Sequence, residues 1–157
     1  MSSLADDTVS RYVLQAAKTT FMGGIQLIPD ADDLYMEGLD LFAEEKWEEA
    51  VAAFRKTLAV DSEYVDAYHG IARACFEARE HNPDLLDEAI EAAKKIVELE
   101  PDDVTAYSTL SQIYVWKGDK DTAEMWGAKA RVAGWKDQLR ADKSRGKPGF
   151  KEPESLE

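Results

Sequence analysis

The sequence predicts an all-α fold, a stack of three helical hairpins with an extra helix at each end. Three observations predict it. Apolar residues recur with the 3.6-residue period of a helix along most of the chain, and no run alternates with the period of two that a strand needs. One two-helix pattern, DLYMEGLDLFAEEKWEEAVAAFRKTLAVDSEY over residues 33–64, returns twice downstream. Small residues also fall where paired helices bring their backbones close, Gly38 and Ala50 in the first copy.

Taken in order, residues 6–21 place Val9, Tyr12, Val13, Ala16 and Ala17 on one face of a short helix, with Asp6, Asp7 or Thr8 as cap. Gly23-Gly24 ends it, and Ile25-Gln26-Leu27-Ile28-Pro29 reads as an extended linker, so residues 1–30 form a helix and linker. The open end of a repeat stack is apolar and needs cover. This helix is therefore expected to cap the first hairpin, the alternatives being an arm for a partner or a segment lying in the protein's own groove.

The first hairpin, residues 31–64, carries Leu34, Gly38 and Leu41, then the break Glu44-Glu45-Lys46, then Trp47, Ala50, Val51, Phe54 and Leu58. The second, residues 65–103, pairs VDAYHGIARACFEA with DEAIEAAKKIVELEPDD and holds a five-residue insertion between Cys75 and Ala89. Asn82-Pro83 is expected to start its second helix, Asn as cap and Pro in the first turn, with the first helix lengthened toward Glu80. The third, residues 104–137, runs on into a capping helix to about residue 143, where Trp135 and Leu139 lie one turn apart. Residues 144–157 have the composition of a flexible basic tail in which Phe150 stands alone as an apolar side chain.

The register is checkable, because Ala50 to Ala89 is 39 residues and Ala89 to Ala123 is 34. A period near 34, an aromatic early in the unit, an A-x3-F pair in the second helix and a following Pro resemble the tetratricopeptide repeat (TPR) family. The matching residues are Gly38, Ala50, Phe54 and Leu58, then Tyr68, Ala72, Ala89 and Pro101, then Tyr107, Leu110, Ser111, Tyr114, Gly118, Ala123 and Ala130. The chain departs from the pattern at Ser62, where Pro is usual, and at Ala93 and Gly127, which stand where Phe54 stands in the first copy; no Pro closes the third. The resemblance covers roughly residues 31–137 and implies a right-handed α-solenoid whose first helices line a concave groove.

Composition narrows the function classes. The net charge of −13 opposes a general affinity for nucleic acid or an anionic membrane. It is uneven: eight basic side chains from Lys129 to Lys151 face only Asp137 and Asp142, so this segment either solvates itself against the acidic body or docks an acidic partner. The single Cys75, between Ile71 and Phe76 on an apolar stripe, reads as a core residue and is compatible with a reducing compartment. No apolar run is long enough to span a bilayer and no secretory signal is visible, so a cytoplasmic protein is expected, with self-association left open.

Chemistry has little to work with. Two histidines, His69 and His81, one cysteine and no glycine-rich phosphate loop assemble no nucleophile, metal or nucleotide constellation, and no cofactor is expected. The acidic pairs Asp6-Asp7, Asp32-Asp33, Glu44-Glu45, Glu48-Glu49 and Asp102-Asp103 fall at helix starts or turns, where the helix dipole and solvent account for them.

A surface remains. Outside their packing stripes the first helices carry Tyr35, Leu39 and Phe42; His69, Arg73 and Phe76; and Ser108, Gln112 and Val115 with Trp116, each set on one helix face. Apolar anchors and an arginine for a carboxylate make a groove for a peptide or helix of a partner protein, with Tyr35, Leu39, His69, Arg73, Ser108, Gln112 and Trp116 as its candidate residues. The bland alternative is that Phe42, Phe76 and Val115 pack between helices. The Lys, Asn and Arg clamp of TPR proteins that hold heat-shock chaperone tails is missing, its places taken by Tyr35, Leu39, Gly70, Thr105 and Thr109. The expected function is a non-enzymatic adaptor or assembly subunit. The alternative is a role like that of the small acidic chaperones of type III secretion, which share this architecture; an enzyme with a dispersed site comes last.

Overall fold

The computed structural model describes residues 29–146; the expected helix over residues 6–21, the linker up to residue 28 and the tail from residue 147, Phe150 included, lie outside the described residues. Among them the chain is all-α, with no strand: α1 (Ala31–Ala43), α2 (Trp47–Val60), α3 (Val65–Glu77), a 3₁₀ turn (Ala78–Glu80), α4 (Leu85–Leu99), α5 (Val104–Trp116) and α6 (Lys120–Ser144). They form two compact units, one ending at Leu99 and the other starting at Glu100. Chain length alone, which fits a single domain, does not reveal that division.

The first unit stacks two hairpins, α1 with α2 and α3 with α4, joined by packing of α2 on α3. Asp30 opens α1 by accepting the Asp33 N–H at 2.8 Å, one of the donors that a helix start leaves unmatched. The α1–α2 turn closes with the Lys46 N–H on the Leu41 carbonyl at 3.0 Å, and Glu45 takes the left-handed conformation, φ 59°, that this closure demands.

Phe54 organises this unit. Its ring is fully buried between α1 and α3, so close that a methyl on Gly38 would lie 2.5 Å from one edge and a methyl on Gly70 2.6 Å from the other. Gly38, expected to let two backbones meet, instead admits a ring. Gly70 does the same from the next hairpin, a pairing across repeats that helical spacing within one repeat does not show. Val51, Thr57, Cys75 and Ile96 are the other large side chains fully buried in this unit, and the Thr57 hydroxyl is satisfied by the Ala53 carbonyl at 3.3 Å. Arg55 donates from Nε to Glu88 at 2.7 Å and from a second nitrogen to the other carboxylate oxygen, tying α2 to α4.

The insertion does lengthen the first helix of the second hairpin to Glu80, but as a 3₁₀ turn. Asn82 is not the cap expected of it. The Leu85 N–H reaches the Asn82 carbonyl at 3.2 Å, which makes residues 82–85 a β-turn with Pro83 in its second place, where the fixed φ of proline suits the turn, and α4 begins only at Leu85.

The second unit is the hairpin of α5 and α6. Asp103 caps α5 through the Ala106 N–H at 2.7 Å and Asp119 caps α6 through the Thr122 N–H at 3.1 Å. The turn between them repeats the closure of the first hairpin, with Gly118 at φ 80° where Glu45 stood and the Asp119 N–H on the Tyr114 carbonyl at 3.0 Å. Contact here uses small groups: the Ser111 hydroxyl donates to the Ala123 carbonyl at 2.8 Å, and a methyl on Gly127 would lie 3.3 Å from the Ser111 oxygen. α6 passes unbroken through Gly134-Trp135, so the residues expected as a closing helix are its second half. At 25 residues it is nearly twice the length of the 13-residue α5, so its far end extends past the hairpin.

Candidate functional site

In the first unit α1 and α3 carry the first four candidate residues. Arg73 of α3 is exposed and holds its guanidinium over the Phe42 ring of α1, 5.1 Å from the centroid. A cation over a ring is worth roughly 0.5–1 kcal/mol at an exposed site. No carboxylate among the described residues pairs with Arg73. Phe42 also packs against Trp47, edge-on at 4.9 Å. Leu39 lies one turn before Phe42 and is 37% exposed; His69 lies one turn before Arg73 and is half-buried. Leu39, Phe42, His69 and Arg73 thus combine apolar surface with a cation open to an acceptor.

Tyr35 has a different place. Its ring sits 5.7 Å from Phe54 and 5.2 Å from Tyr64, half-buried, and burial followed by the charge of Asp66 pushes its phenol pKa up. Tyr64 in turn donates its hydroxyl to Asp32 at 2.7 Å, and that bond is the main reason its pKa rises to about 12. Tyr35 is therefore a packing member of an aromatic cluster that supports α1 from beside the site. Phe76 is half-buried under the Arg79 guanidinium, 4.1 Å away.

The second unit carries the other three. Ser108 is part-buried and gives its hydroxyl proton to the Val104 carbonyl of its own helix at 2.9 Å, which leaves its oxygen only as an acceptor. Gln112 is exposed, and Trp116 at 49% exposure with Val115 at 64% makes an apolar end to α5. The contact of Phe42 with Arg73 was not readable from helical spacing, because it depends on the offset between α1 and α3.

Among the described residues no group of His, Cys, Asp and Glu could hold a metal ion, and no helix is long and apolar enough to cross a membrane. Cys75 is fully buried, and burial pushes its thiol up to about 12, far from the reactive range of a nucleophile.

Residues 35–82 match the model of the family described as tetratricopeptide repeat. No curated protein matches the sequence. Solved structures do resemble the fold. A crystal structure of MamA shares 24% identity, covers 87% of this chain and 72% of its own, and has a TM-score of 0.66. The Yersinia enterocolitica type III secretion translocator chaperone SycD shares 16% identity over 66% of this chain and 73% of its own, TM-score 0.59. PcrH in complex with the chaperone binding region of PopB shares 17% over 71% and 86%, TM-score 0.59. At these identities the likeness is one of fold.

Proposed function

We propose that this tetratricopeptide-repeat protein is a non-enzymatic protein-interaction module, an adaptor or assembly subunit of the cytoplasm, that binds a peptide or helix of a partner on the first helices of its hairpins. The observation that carries the reading is Arg73, exposed, stacked on Phe42 and paired with no carboxylate among the described residues, beside the exposed Leu39. A guanidinium over a ring keeps N–H donors for an acceptor, and Leu39 supplies an apolar seat next to it. Gln112 and Trp116 on α5 would add a second patch of the same character, and His69 a hydrogen-bonding group. The structure of PcrH in complex with the chaperone binding region of PopB supports the idea that this fold can take a segment of another protein. A secretion-chaperone-like role draws on the same likeness, but no feature of the Arg73 site favours it over a general adaptor.

The experiment is affinity capture with the full chain as bait, followed by titration of the captured partner against Arg73→Glu and Leu39→Ala. Each substitution is expected to weaken binding at least tenfold, about 1.4 kcal/mol. The arginine is expected to account for most of the salt dependence. A partner that binds both variants as tightly as the parent sinks this reading. Tyr35→Ala is a poor probe, because the ring it removes packs on Phe54 and Tyr64.

A further inference from the structure

α6 has two apolar faces. One turns Ala123, Gly127, Ala130 and Gly134 toward α5, as the Ser111–Ala123 hydrogen bond and the nearness of Gly127 to Ser111 and of Gly134 to Val104 show. The opposite face, half a turn round the helix, carries Met125, Ala128, Val132, Trp135 and Leu139, spaced alternately three and four residues. Val132 is 52% exposed, Trp135 66% and Leu139 40%, in a protein where single exposed apolar residues are normal but an ordered stripe is not. A stripe of period 3.5 is the seam along which one helix packs against another.

The charges beside the seam differ from flank to flank. On one flank Lys129, Lys136 and Lys143 recur every seventh residue. Lys129 lies over the Trp126 ring at 4.4 Å, and Lys136 shares Asp102 with Arg140, at 3.6 and 2.6 Å. No carboxylate among the described residues pairs with Lys129 or Lys143. The other flank answers its own charges: Arg131 pairs with Glu124 at 2.6 Å and the Gln138 amide donates to Asp142 at 3.1 Å. A shallow pocket of about 340 Å³ opens along the lysine flank between Pro101, Tyr107, Ala128, Val132 and Lys136, with room for a bulky side chain.

We propose that this face of α6 docks an acidic amphipathic helix of a partner protein, its apolar stripe laid on Val132, Trp135 and Leu139 and its Glu or Asp side chains set against Lys129, Lys136 and Lys143. The charge pattern selects this occupant over a second copy of the chain. Antiparallel self-pairing brings the three lysines of one copy against those of the other, and parallel self-pairing sets Arg131 against Lys136 and Gln138 against Lys143, offering the lysines only Glu124, which Arg131 already holds. The surface is separate from the Arg73 site and uses none of its residues, so each stands or falls without the other.

The probe is a synthetic, labelled peptide of four heptads with leucine at the seam positions and glutamate on both flanks. It is titrated against the full chain by fluorescence anisotropy, beside a shuffled peptide of the same composition and a lysine-for-glutamate peptide. The acidic peptide is expected to bind, more weakly as salt is added, and the shuffled peptide is not. Trp135→Ala is expected to weaken binding at least tenfold. The triple change Lys129→Glu, Lys136→Glu, Lys143→Glu is expected to abolish it and to recruit the lysine peptide, while Arg73→Glu changes nothing. All these positions are exposed, and circular dichroism checks that each variant keeps its helix. Equal binding of the shuffled peptide, indifference to Trp135→Ala, or no binding at all overturns the proposal. So does a dimer in sedimentation that Trp135→Ala dissolves, which assigns the face to a second copy, or binding that appears only once residues 1–28 or 147–157 are removed, which assigns it to the chain itself.

Discussion

The two units answer one packing question in different ways. At the place where a hairpin's helices cross, the first unit sets Gly38 of α1 against Phe54 of α2, and the second sets Ser111 of α5 against Gly127 of α6. The first crossing pairs a glycine with a large ring, and the second has small residues on both sides. In the first case the aromatic ring reaches through to a second glycine, Gly70, and so locks two hairpins together. In the second the close approach is used for a hydroxyl bonded to a backbone carbonyl, and it binds only the two helices of one hairpin. The same repeat can therefore be held by a shared ring or by a local polar contact, and the first couples neighbours where the second does not.

Phe54 is where the largest effect is expected. Phe54→Ala empties a slot walled by two glycines that cannot fill it, and the expected cost is about 3–5 kcal/mol, read as a lower denaturation midpoint of the first unit. Gly38→Ala attacks the same slot by overfilling it. Its methyl meets a ring that Gly70 prevents from retreating, and a loss of about 1–3 kcal/mol is expected despite the better helix propensity of alanine. The double change Gly38→Ala, Phe54→Leu should recover part of this loss, and strict additivity in a double-mutant cycle would show that the ring and the glycine are not coupled.

Titration separates the units next. Cys75 and Tyr64 both have folded pKa values raised to about 12, by burial and by the bond to Asp32 respectively. Through the alkaline window the folded state therefore holds protons that the unfolded chain has lost, and the stability these groups contribute is whole below pH 9 and falls as pH rises toward 12. In the second unit Asp102 is held low by its bond to Arg140, and Asp119 by its bonds to Thr122. Their contribution is present above the ordinary carboxylate pKa and is lost as pH falls through their lowered values. Unfolding followed at each pH by hydrogen exchange resolved to individual helices is expected to show α1–α4 weakening in alkali and α5–α6 in acid. Identical profiles for the two would remove this distinction.

The smallest effect is expected at Gly127. Gly127→Ala gains roughly 1 kcal/mol of helix propensity and asks the Ser111 hydroxyl to give way by a few tenths of an ångström, so the net change should lie within about 1 kcal/mol of zero. A loss as large as that of Gly38→Ala would mean that the second unit is packed as tightly as the first.

Much of this was legible in the order of residues. Three copies in register located every hairpin, since the 3.6-residue period and the small-residue marks are local. Cys75 could be placed in the core from Ile71 and Phe76 alone. The candidate site was legible only as helix faces. Leu39 and Arg73 do lie on the surface, while Tyr35, on the same face by spacing, reaches sideways to Tyr64, which belongs to the next turn of chain. Asn82 resembled a cap because Asn-Pro opens helices and turns alike, and the β-turn through Leu85 prevails here.

The order of residues was enough for the helices of the first two hairpins and for the pairing of helices into hairpins, because each depends on residues within about one repeat of one another and on a backbone period that side chains must obey. Packing alone settles that Phe54 is shared by Gly38 and Gly70, that Arg73 stands on Phe42, that Asp102 holds Lys136 and Arg140, and that no carboxylate among the described residues pairs with Lys129 or Lys143. Those contacts join side chains up to 38 residues apart. Their geometry is set by how far one helix slides and turns against another, a freedom that no local pattern constrains and that close packing alone removes.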